Sequence, residues 1–147
     1  MDSFILREED YAIRIIVFLA TVGRQVKTDE ICKSLYLSRP IVVKIINKLK
    51  SGGFIVTKTG KDGGLTISES TPEASMFDIL SCMGFTGKVN ACTSDHAACQ
   101  LLPICKINRL FGDIQREIEE RLKRAKIKEF LFNGNELFTK SKSMQEV

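Results

Sequence analysis

The spacing of apolar and polar residues predicts two short helices at the start of the chain. The first runs from Arg7 to Thr21, and Gly23 follows as the residue that ends it. The second begins near Thr28, whose hydroxyl is placed to cap it, with Ile31 and Leu35 facing inward. Each helix therefore has one apolar face to bury. The apolar face of the first helix comprises Tyr11, Ile15, Phe18, Leu19 and Val22.

A third helix follows at once. Ser38 is its predicted cap, and Pro40 falls in the first turn, where a missing amide proton costs nothing. Gly52 ends the helix, and the expected buried stripe is Ile41, Ile45 and Leu49.

A β-hairpin with a glycine-rich tip is predicted next, over Phe54 to Ser68 (FIVTKTGKDGGLTIS). Three short helices followed by a hairpin are typical of a winged helix-turn-helix. Residues 28–51 match its two-helix DNA-reading unit, with a tight turn around Tyr36 and Leu37. The expected fold is therefore mainly α, with a small β-hairpin wing.

The second half of the chain contains a short helix, an irregular segment and a long amphipathic helix. The short helix is predicted over Glu73 to Met83, with Met76, Phe77, Ile79 and Leu80 mostly inside. The long helix covers ~20–25 residues, or ~30–38 Å at ~1.5 Å per residue, and has too little core of its own to cover its stripe. We therefore expect a second subunit to cover it. The stripe is Ile107, Phe111, Ile114, Ile118, Leu122 and Ala125.

Charge is concentrated in the predicted DNA-reading unit. The net charge is only +4, but from Ser38 to Lys61 there are six Lys or Arg and no Asp or Glu. Lysine and arginine neutralise phosphates, and Arg39 is the best candidate to pair bidentately with guanine. The alternatives to DNA binding are a basic helix face that is simply solvated, or a protein-interaction module. The predicted DNA-binding residues are Thr28, Ser38, Arg39, Lys44, Asn47, Lys48, Lys58, Lys61 and Gly63.

Three of the five cysteines, Cys92, Cys99 and Cys105, fall within fourteen residues (CTSDHAACQLLPIC) around the only histidine, His96. No apolar stretch reaches the ~18–20 residues of a membrane span, and the acidic start MDSFILREEDY does not resemble a signal peptide. We expect a cytoplasmic location, where disulfides are uncommon. Zinc usually takes two ligands from a tight Cys-x2-4-Cys knuckle, which is missing here. An iron–sulfur cluster fits better, with zinc, free thiols or a staple as alternatives.

Four stretches carry a resemblance to a known family: DYAIR at Asp10–Arg14, SRPIVVKIINKLKSGGF at Ser38–Phe54, GKDGGLTIS at Gly60–Ser68, and the cysteine triplet. The chain resembles the Rrf2 family of winged-helix regulators, which includes NsrR and IscR, and looks closest to the NsrR branch. The resemblance implies a homodimer joined through the long helix. It also implies a 2Fe-2S or 4Fe-4S cluster held by Cys92, Cys99 and Cys105.

The fourth ligand differs between branches of the family. The IscR scheme needs a histidine three residues after the third cysteine, where this chain has Asn108. The NsrR scheme implies Asp10 of the partner subunit, and a carboxylate oxygen is a hard, weak ligand beside thiolates. Glu8, Glu9 and His96 are the alternatives. Cys32 and Cys82 are expected to be small core residues.

We therefore expect four segments: 1–84, a winged helix-turn-helix DNA-binding domain; 85–106, a cluster-binding loop; 107–132, a dimerisation helix; and 133–147, a flexible tail. The expected function is a repressor that senses nitric oxide or redox stress through an iron–sulfur cluster and binds a double-stranded DNA operator. The alternatives are a regulator of iron–sulfur status and a zinc- or thiol-based redox switch. With one histidine and no nucleotide-binding glycine loop, the chain is not expected to be an enzyme.

Overall fold

The computed structural model describes residues 3–95, 99–133 and 137. Its elements follow the predicted order, and the fold is mainly α with a two-stranded antiparallel hairpin, as the sequence predicts. Four further turns are 3-10 helices, at Thr71–Glu73, Ala91–Thr93, Leu102–Ile104 and Ile127–Phe130. The main elements are α1 (Arg7–Val22), α2 (Thr28–Leu35), α3 (Arg39–Ser51), β1 (Ile55–Lys58), β2 (Gly64–Ile67), α4 (Met76–Cys82) and α5 (Lys106–Arg124).

Helix α1 is the centre of the core. Its Ile15, Ile16 and Leu19 are fully buried, and they pack in one cluster with Ile45 and Leu49 of α3. The predicted end of α1 is confirmed, because Gly23 adopts the left-handed conformation (φ 61°) and its N–H donates to the Leu19 carbonyl at 3.2 Å. The helices of the predicted DNA-reading unit are therefore held on a common apolar support.

The details of α2 and α3 differ slightly from the prediction. Thr28 is the first residue of α2, and the capping position is Lys27, whose side chain makes no capping hydrogen bond. Ile41 is only half-buried, whereas Val42 and Ile46 are buried beside the predicted Ile45 and Leu49. The buried face of α3 is wider than a single stripe because α1 and α2, the hairpin and α4 all pack against it.

The turn between α2 and α3 forms where the sequence places it. Tyr36 adopts a left-handed backbone (φ 57°), and the Leu37 N–H donates to the Cys32 carbonyl at 3.1 Å. The hairpin pairs Ile55 with Ile67 and is joined to the body of the fold by Val26, which exchanges backbone hydrogen bonds with Leu65. Both parts of the winged helix-turn-helix are thus present.

Helix α4 begins later than predicted. Thr71–Glu73 form a separate 3-10 turn, and Ser75 then caps α4 by accepting a hydrogen bond from the Asp78 N–H at 3.1 Å. The reciprocal bond from the Ser75 N–H to the Asp78 carboxylate completes a capping box. This capping box determines where α4 starts, and the apolar spacing alone places that start too early.

Helix α5 ends at Arg124, eight positions before the predicted end at 132. At Ala125 the chain turns extended, and it forms backbone hydrogen bonds with the segment before α4: Met76 N–H to the Ala125 carbonyl (2.8 Å) and Ile127 N–H to the Ala74 carbonyl (2.9 Å). Ile127 is then fully buried in the core. These long-range contacts stop the helix, and the apolar stripe of α5 cannot reveal them.

Two predictions fall on residues that the structure does not describe. The predicted flexible tail, 133–147, lies outside the described residues except for positions 133 and 137, and so does His96. Among the helices that the structure describes, none combines the length and the apolar character that a membrane crossing requires.

Candidate functional site

The predicted DNA-binding residues share one part of the fold, α3 and the hairpin, with only Thr28 on α2. We define the recognition surface as the exposed Lys, Arg and Asn side chains among these predicted DNA-binding residues. Ser38 is exposed at the capping position of α3, Thr28 is half-buried, and Gly63 is buried. The recognition surface comprises Arg39, Lys44, Asn47, Lys48, Lys58 and Lys61.

Two cations of the recognition surface are already paired with carboxylates of other helices. Lys44 Nζ lies 2.9 Å from a carboxylate oxygen of Glu8 in the first turn of α1, and Arg39 forms an ion pair with Asp29 of α2. The hydrogen bond from Lys44 lowers the pKa of Glu8, partial desolvation opposes this, and the charge of Lys48 adds to the lowering. These cations are thus oriented before any DNA arrives.

The tip of the wing depends on glycine. Gly60 has φ 105°, a conformation that side-chain-bearing residues rarely adopt, and the Gly63 N–H donates to the Gly60 carbonyl at 3.0 Å. A Cβ on Gly63 would lie 2.2 Å from the Lys58 carbonyl oxygen. Gly63 therefore shapes the turn that presents Lys58 and Lys61, and its direct contact with DNA stays a prediction.

The three clustered cysteines line one cavity of about 280 Å³ beside the amino end of α5. Its other walls mix apolar side chains with two asparagines, so the sulfurs have few polar side-chain neighbours. We call this space the cysteine cavity. It is lined by Asn90, Ala91, Cys92, Cys99, Leu102, Cys105, Ile107, Asn108 and Phe111.

Each of the three sulfurs accepts one N–H hydrogen bond. Asn90 Nδ2 donates to Cys92 Sγ (3.5 Å), the Leu101 N–H to Cys99 Sγ (3.4 Å) and the Asn108 N–H to Cys105 Sγ (3.3 Å). Cys105 is also the capping residue of α5, where the helix dipole favours negative charge. Hydrogen bonds to sulfur are among the protein features that tune iron–sulfur clusters, so this donor set fits such a group.

Two polar side chains of α5 bind the first half of residues 85–106, which we call the cysteine loop. Gln115 Oε1 accepts the Val89 N–H at 3.2 Å and lies 2.6 Å from the Thr93 hydroxyl. Asn108 Nδ2 donates to the Cys92 carbonyl at 3.0 Å, while its N–H serves Cys105. Asn108 thus connects the first and third cysteines. The sequence pattern marks Asn108 only as a position without the histidine ligand and gives no indication of Gln115, although the two are polar residues seven positions apart on one helix face.

The sulfurs do not close around a single ion. Within residues 3–95, 99–133 and 137, no group of three or more His, Cys, Asp or Glu side chains is arranged to hold a metal ion. Cys99 is exposed, while Cys92 and Cys105 are partly buried. The arrangement is that of three thiols around an open space.

Asp10 and its two neighbours have different environments. Asp10 is 44% exposed and accepts a hydrogen bond from Arg14 Nε at 2.9 Å, one turn along α1. Glu9 is 4% exposed and accepts the Leu6 N–H at 2.8 Å, so it caps α1. Glu8 is paired with Lys44. Asp10 is therefore the carboxylate of the three with neither a capping role nor a contact to the recognition surface, and its role as a ligand stays a prediction.

The two remaining cysteines belong to the core, as predicted. Cys32 and Cys82 are both partly buried against the main apolar cluster. Cys82 Sγ lies 3.4 Å from the Lys48 carbonyl oxygen. Burial raises the pKa of the Cys82 thiol, and the charge of Lys48 opposes this only in part.

An apolar strip extends from the cysteine loop along α5 and faces solvent. Ile104, in the turn just before α5, is 80% exposed. None of the α5 residues is fully buried, and the exposed fraction is 62% at Ile107 and 55% at Leu110. A helix stripe exposed to this degree is typical of a surface that another chain covers. The apolar strip comprises Leu101, Ile104, Ile107, Leu110 and Ile114.

Comparison with known proteins agrees with this arrangement. Residues 5–133 match the Rrf2 family, described as iron-dependent transcriptional regulators. The chain is similar in structure to CymR, the global cysteine regulator of B. subtilis (TM-score 0.70, 16% identity, covering 86% of this chain and 94% of that chain). It is also similar to IscR of T. potens (TM-score 0.66, 16% identity, 86% and 83% covered).

The oxidised form of Staphylococcus aureus CymR is a third similar structure (TM-score 0.64, 16% identity, 90% and 100% covered). At these identities the structural matches establish the fold, and the family match establishes membership of the family. Rrf2 regulators bind DNA operators and typically dimerise, and they are not enzymes. The chain belongs to the Rrf2 family of winged-helix transcription regulators.

Proposed function

We propose that this chain is a homodimeric transcription repressor that senses nitric oxide or an oxidant through an iron–sulfur cluster held in the cysteine cavity. The observation that supports it most directly is the placement of Cys92, Cys99 and Cys105 around one cavity, each sulfur accepting an N–H hydrogen bond. Thiolates with N–H donors are the usual protein ligands of such clusters. When bound, the cluster supplies a centre that small oxidants or nitric oxide attack.

The residues of the chain have separate roles in this proposal. Cys92, Cys99 and Cys105 hold the cluster, and Asn108 keeps the first and third of them in place. Asp10 of a second subunit supplies the fourth ligand, and a carboxylate is a weak ligand next to thiolates. Arg14, which pairs with Asp10 in this structure, receives the carboxylate again when it leaves.

The link to DNA is geometric. In a dimer covered along the apolar strip, the contact between Asp10 and the other subunit's cysteine loop restrains the relative pose of the two recognition surfaces. Two half-sites lie ~34–36 Å apart, about one helical turn of DNA, so a small change of pose disturbs simultaneous contact. Loss of the Asp10 contact therefore lowers operator affinity. This is a two-state element that local chemistry biases.

The test is anaerobic purification with iron and acid-labile sulfide counted per chain, followed by visible absorption spectroscopy. The wild-type chain should be brown, and Cys99→Ala should lose the absorption because one of three thiol ligands is gone. Cys32→Ala is the matched control, since Cys32 is a partly buried core thiol far along the chain from the cavity. A colourless wild-type protein without sulfide, or a Cys99→Ala spectrum equal to that of Cys32→Ala, would refute the cluster.

A thiol- or zinc-based redox switch is the second candidate. It is favoured by the exposure of Cys99 and by the similarity to the oxidised form of S. aureus CymR. The same purification separates the two candidates. Zinc without iron and sulfide, or a metal-free chain whose DNA binding changes on reversible thiol oxidation, supports this second function.

A further inference from the structure

The ion pair between Glu8 and Lys44 joins two parts of the chain that are 36 residues apart in sequence. One end is the first turn of α1, and the other is the middle of α3, on the recognition surface. The atoms are 2.9 Å apart, and the side chains remain 40% and 56% exposed, so DNA can reach Lys44. The contact therefore connects the DNA-reading helix to the turn that contains Asp10.

The first turn of α1 holds Glu8 in a defined direction. The buried Glu9 carboxylate accepts the Leu6 N–H, which fixes the start of the helix, and Asp10 pairs with Arg14 one turn further on. The three consecutive acidic residues thus have three different partners. Only Glu8 points to the recognition surface.

Lys44 is a predicted phosphate contact, and its ammonium group already forms an ion pair with a carboxylate. An ammonium group that forms an ion pair with a phosphate releases counterions and gains affinity, but it must first leave an existing carboxylate partner. This competition lowers the affinity for DNA as long as Glu8 stays next to Lys44.

We propose that Glu8 competes with DNA phosphate for Lys44, so that the position of the first turn of α1 sets the DNA affinity of the recognition surface. The competition rests on DNA binding by that surface. The use of this competition for regulation rests, in addition, on the proposed cluster. The cluster would change the partner of Asp10, which is two residues from Glu8 in the same turn. When Asp10 changes partner, the turn shifts, and ~1 Å of extra separation is enough to break the hydrogen bond between Glu8 and Lys44.

The test of the competition is a titration of the purified, cluster-free full-length chain with a fluorescent mixed-sequence DNA duplex of ~30 base pairs, about three helical turns. At low salt, Glu8→Gln should bind ~1.4- to 5-fold more tightly than wild type, the range expected for one exposed ion pair. The gain should vanish in a Lys44→Gln background and shrink with added salt. Glu73→Gln is the matched control, because Glu73 pairs with Lys128 outside α3 and the wing.

The outcomes are distinguishable. A Glu8→Gln affinity equal to that of wild type or of Glu73→Gln, or a gain that persists without Lys44, overturns the competition. A wild-type chain that shows no salt-dependent binding to the duplex overturns DNA binding by the recognition surface, and the competition with it. Unchanged far-ultraviolet circular dichroism shows that Glu8→Gln remains folded.

The regulatory use has its own readout in the cluster-loaded chain. The quantity to measure is the ratio of duplex affinity between the cluster-loaded and the cluster-free protein. In Glu8→Gln this ratio should change by the factor by which the substitution changes the affinity of the cluster-free protein, while the visible spectrum stays that of wild type. An unchanged ratio overturns the coupling and leaves the competition standing. A chain without iron and sulfide also overturns the coupling alone.

Discussion

Replacing Ile107 by alanine tests whether the apolar strip of α5 is the dimer interface. Ile107 is 62% exposed in the single chain, and full burial of an isoleucine contributes ~1.5–3 kcal/mol. Covering the exposed part is therefore worth ~0.9–1.9 kcal/mol per copy. A two-fold interface contains two copies, so Ile107→Ala should weaken the dimer by ~2–4 kcal/mol, or ~30- to 700-fold in its dissociation constant.

The assay is sedimentation equilibrium of the full-length chain over a concentration series without DNA. Val56→Ala is the matched control, because Val56 is a β-branched residue with a similar exposed fraction (51%) on the wing, away from α5. It should leave the monomer–dimer equilibrium unchanged. An equal effect of the two variants, or a wild-type chain that is monomeric at every concentration, would refute the assignment of the apolar strip.

Three further predictions concern the core, the cysteine loop and thiol reactivity. Ile127→Ala should lower the free energy of unfolding by ~2–5 kcal/mol in urea titration, because Ile127 is fully buried. Leu131→Ala, at a residue that is 46% exposed, should lower it by at most ~0.5 kcal/mol, and similar losses for the two variants would contradict the return of the chain into the core. Asn108→Ala should speed the loss of iron to a chelator ~10- to 100-fold, and wild-type kinetics would remove its positioning role. Because burial raises the pKa of the Cys82 thiol, Cys82 should react with iodoacetamide more slowly than the exposed Cys99 near pH 8 and accelerate as the pH rises, followed by peptide mass spectrometry; faster labelling of Cys82 would contradict its burial.

Helix α3 was predictable nearly to the residue because its ends are determined locally. Pro40 lies in the first turn, and the Gly52 N–H donates to the Lys48 carbonyl at 3.0 Å just after the last residue. Ser38 occupies the capping position without a side-chain hydrogen bond, and the helix runs from Arg39 to Ser51. The hairpin was predictable for the same reason, since its turn needs the glycines that the sequence supplies. Local chemistry thus accounts for the DNA-reading unit.

The end of α5 was not predictable from its own residues. Ala125 continues the apolar repeat, yet the chain leaves the helix there because its backbone pairs with Ala74 and Met76, about fifty positions earlier. The clustering of the three cysteines was visible in the sequence. The N–H donors of their sulfurs were not visible, although Asn90, Leu101 and Asn108 lie only two or three positions from the cysteines that they contact. The conformation of an irregular segment, which turns each donor towards its sulfur, does not follow from residue type.

The attachment of α5 at one end has a mechanical consequence. Its carboxyl end is fastened by the backbone pairing of Ser75 with Lys126 and by the buried Ile127, whereas its amino end bears Cys105. Nineteen residues give a lever of ~28 Å between these ends. A tilt of only ~2° about the fastened end displaces the Cys105 end by ~1 Å. A slight rearrangement of the sulfurs can therefore be accommodated by a small rotation of the whole helix.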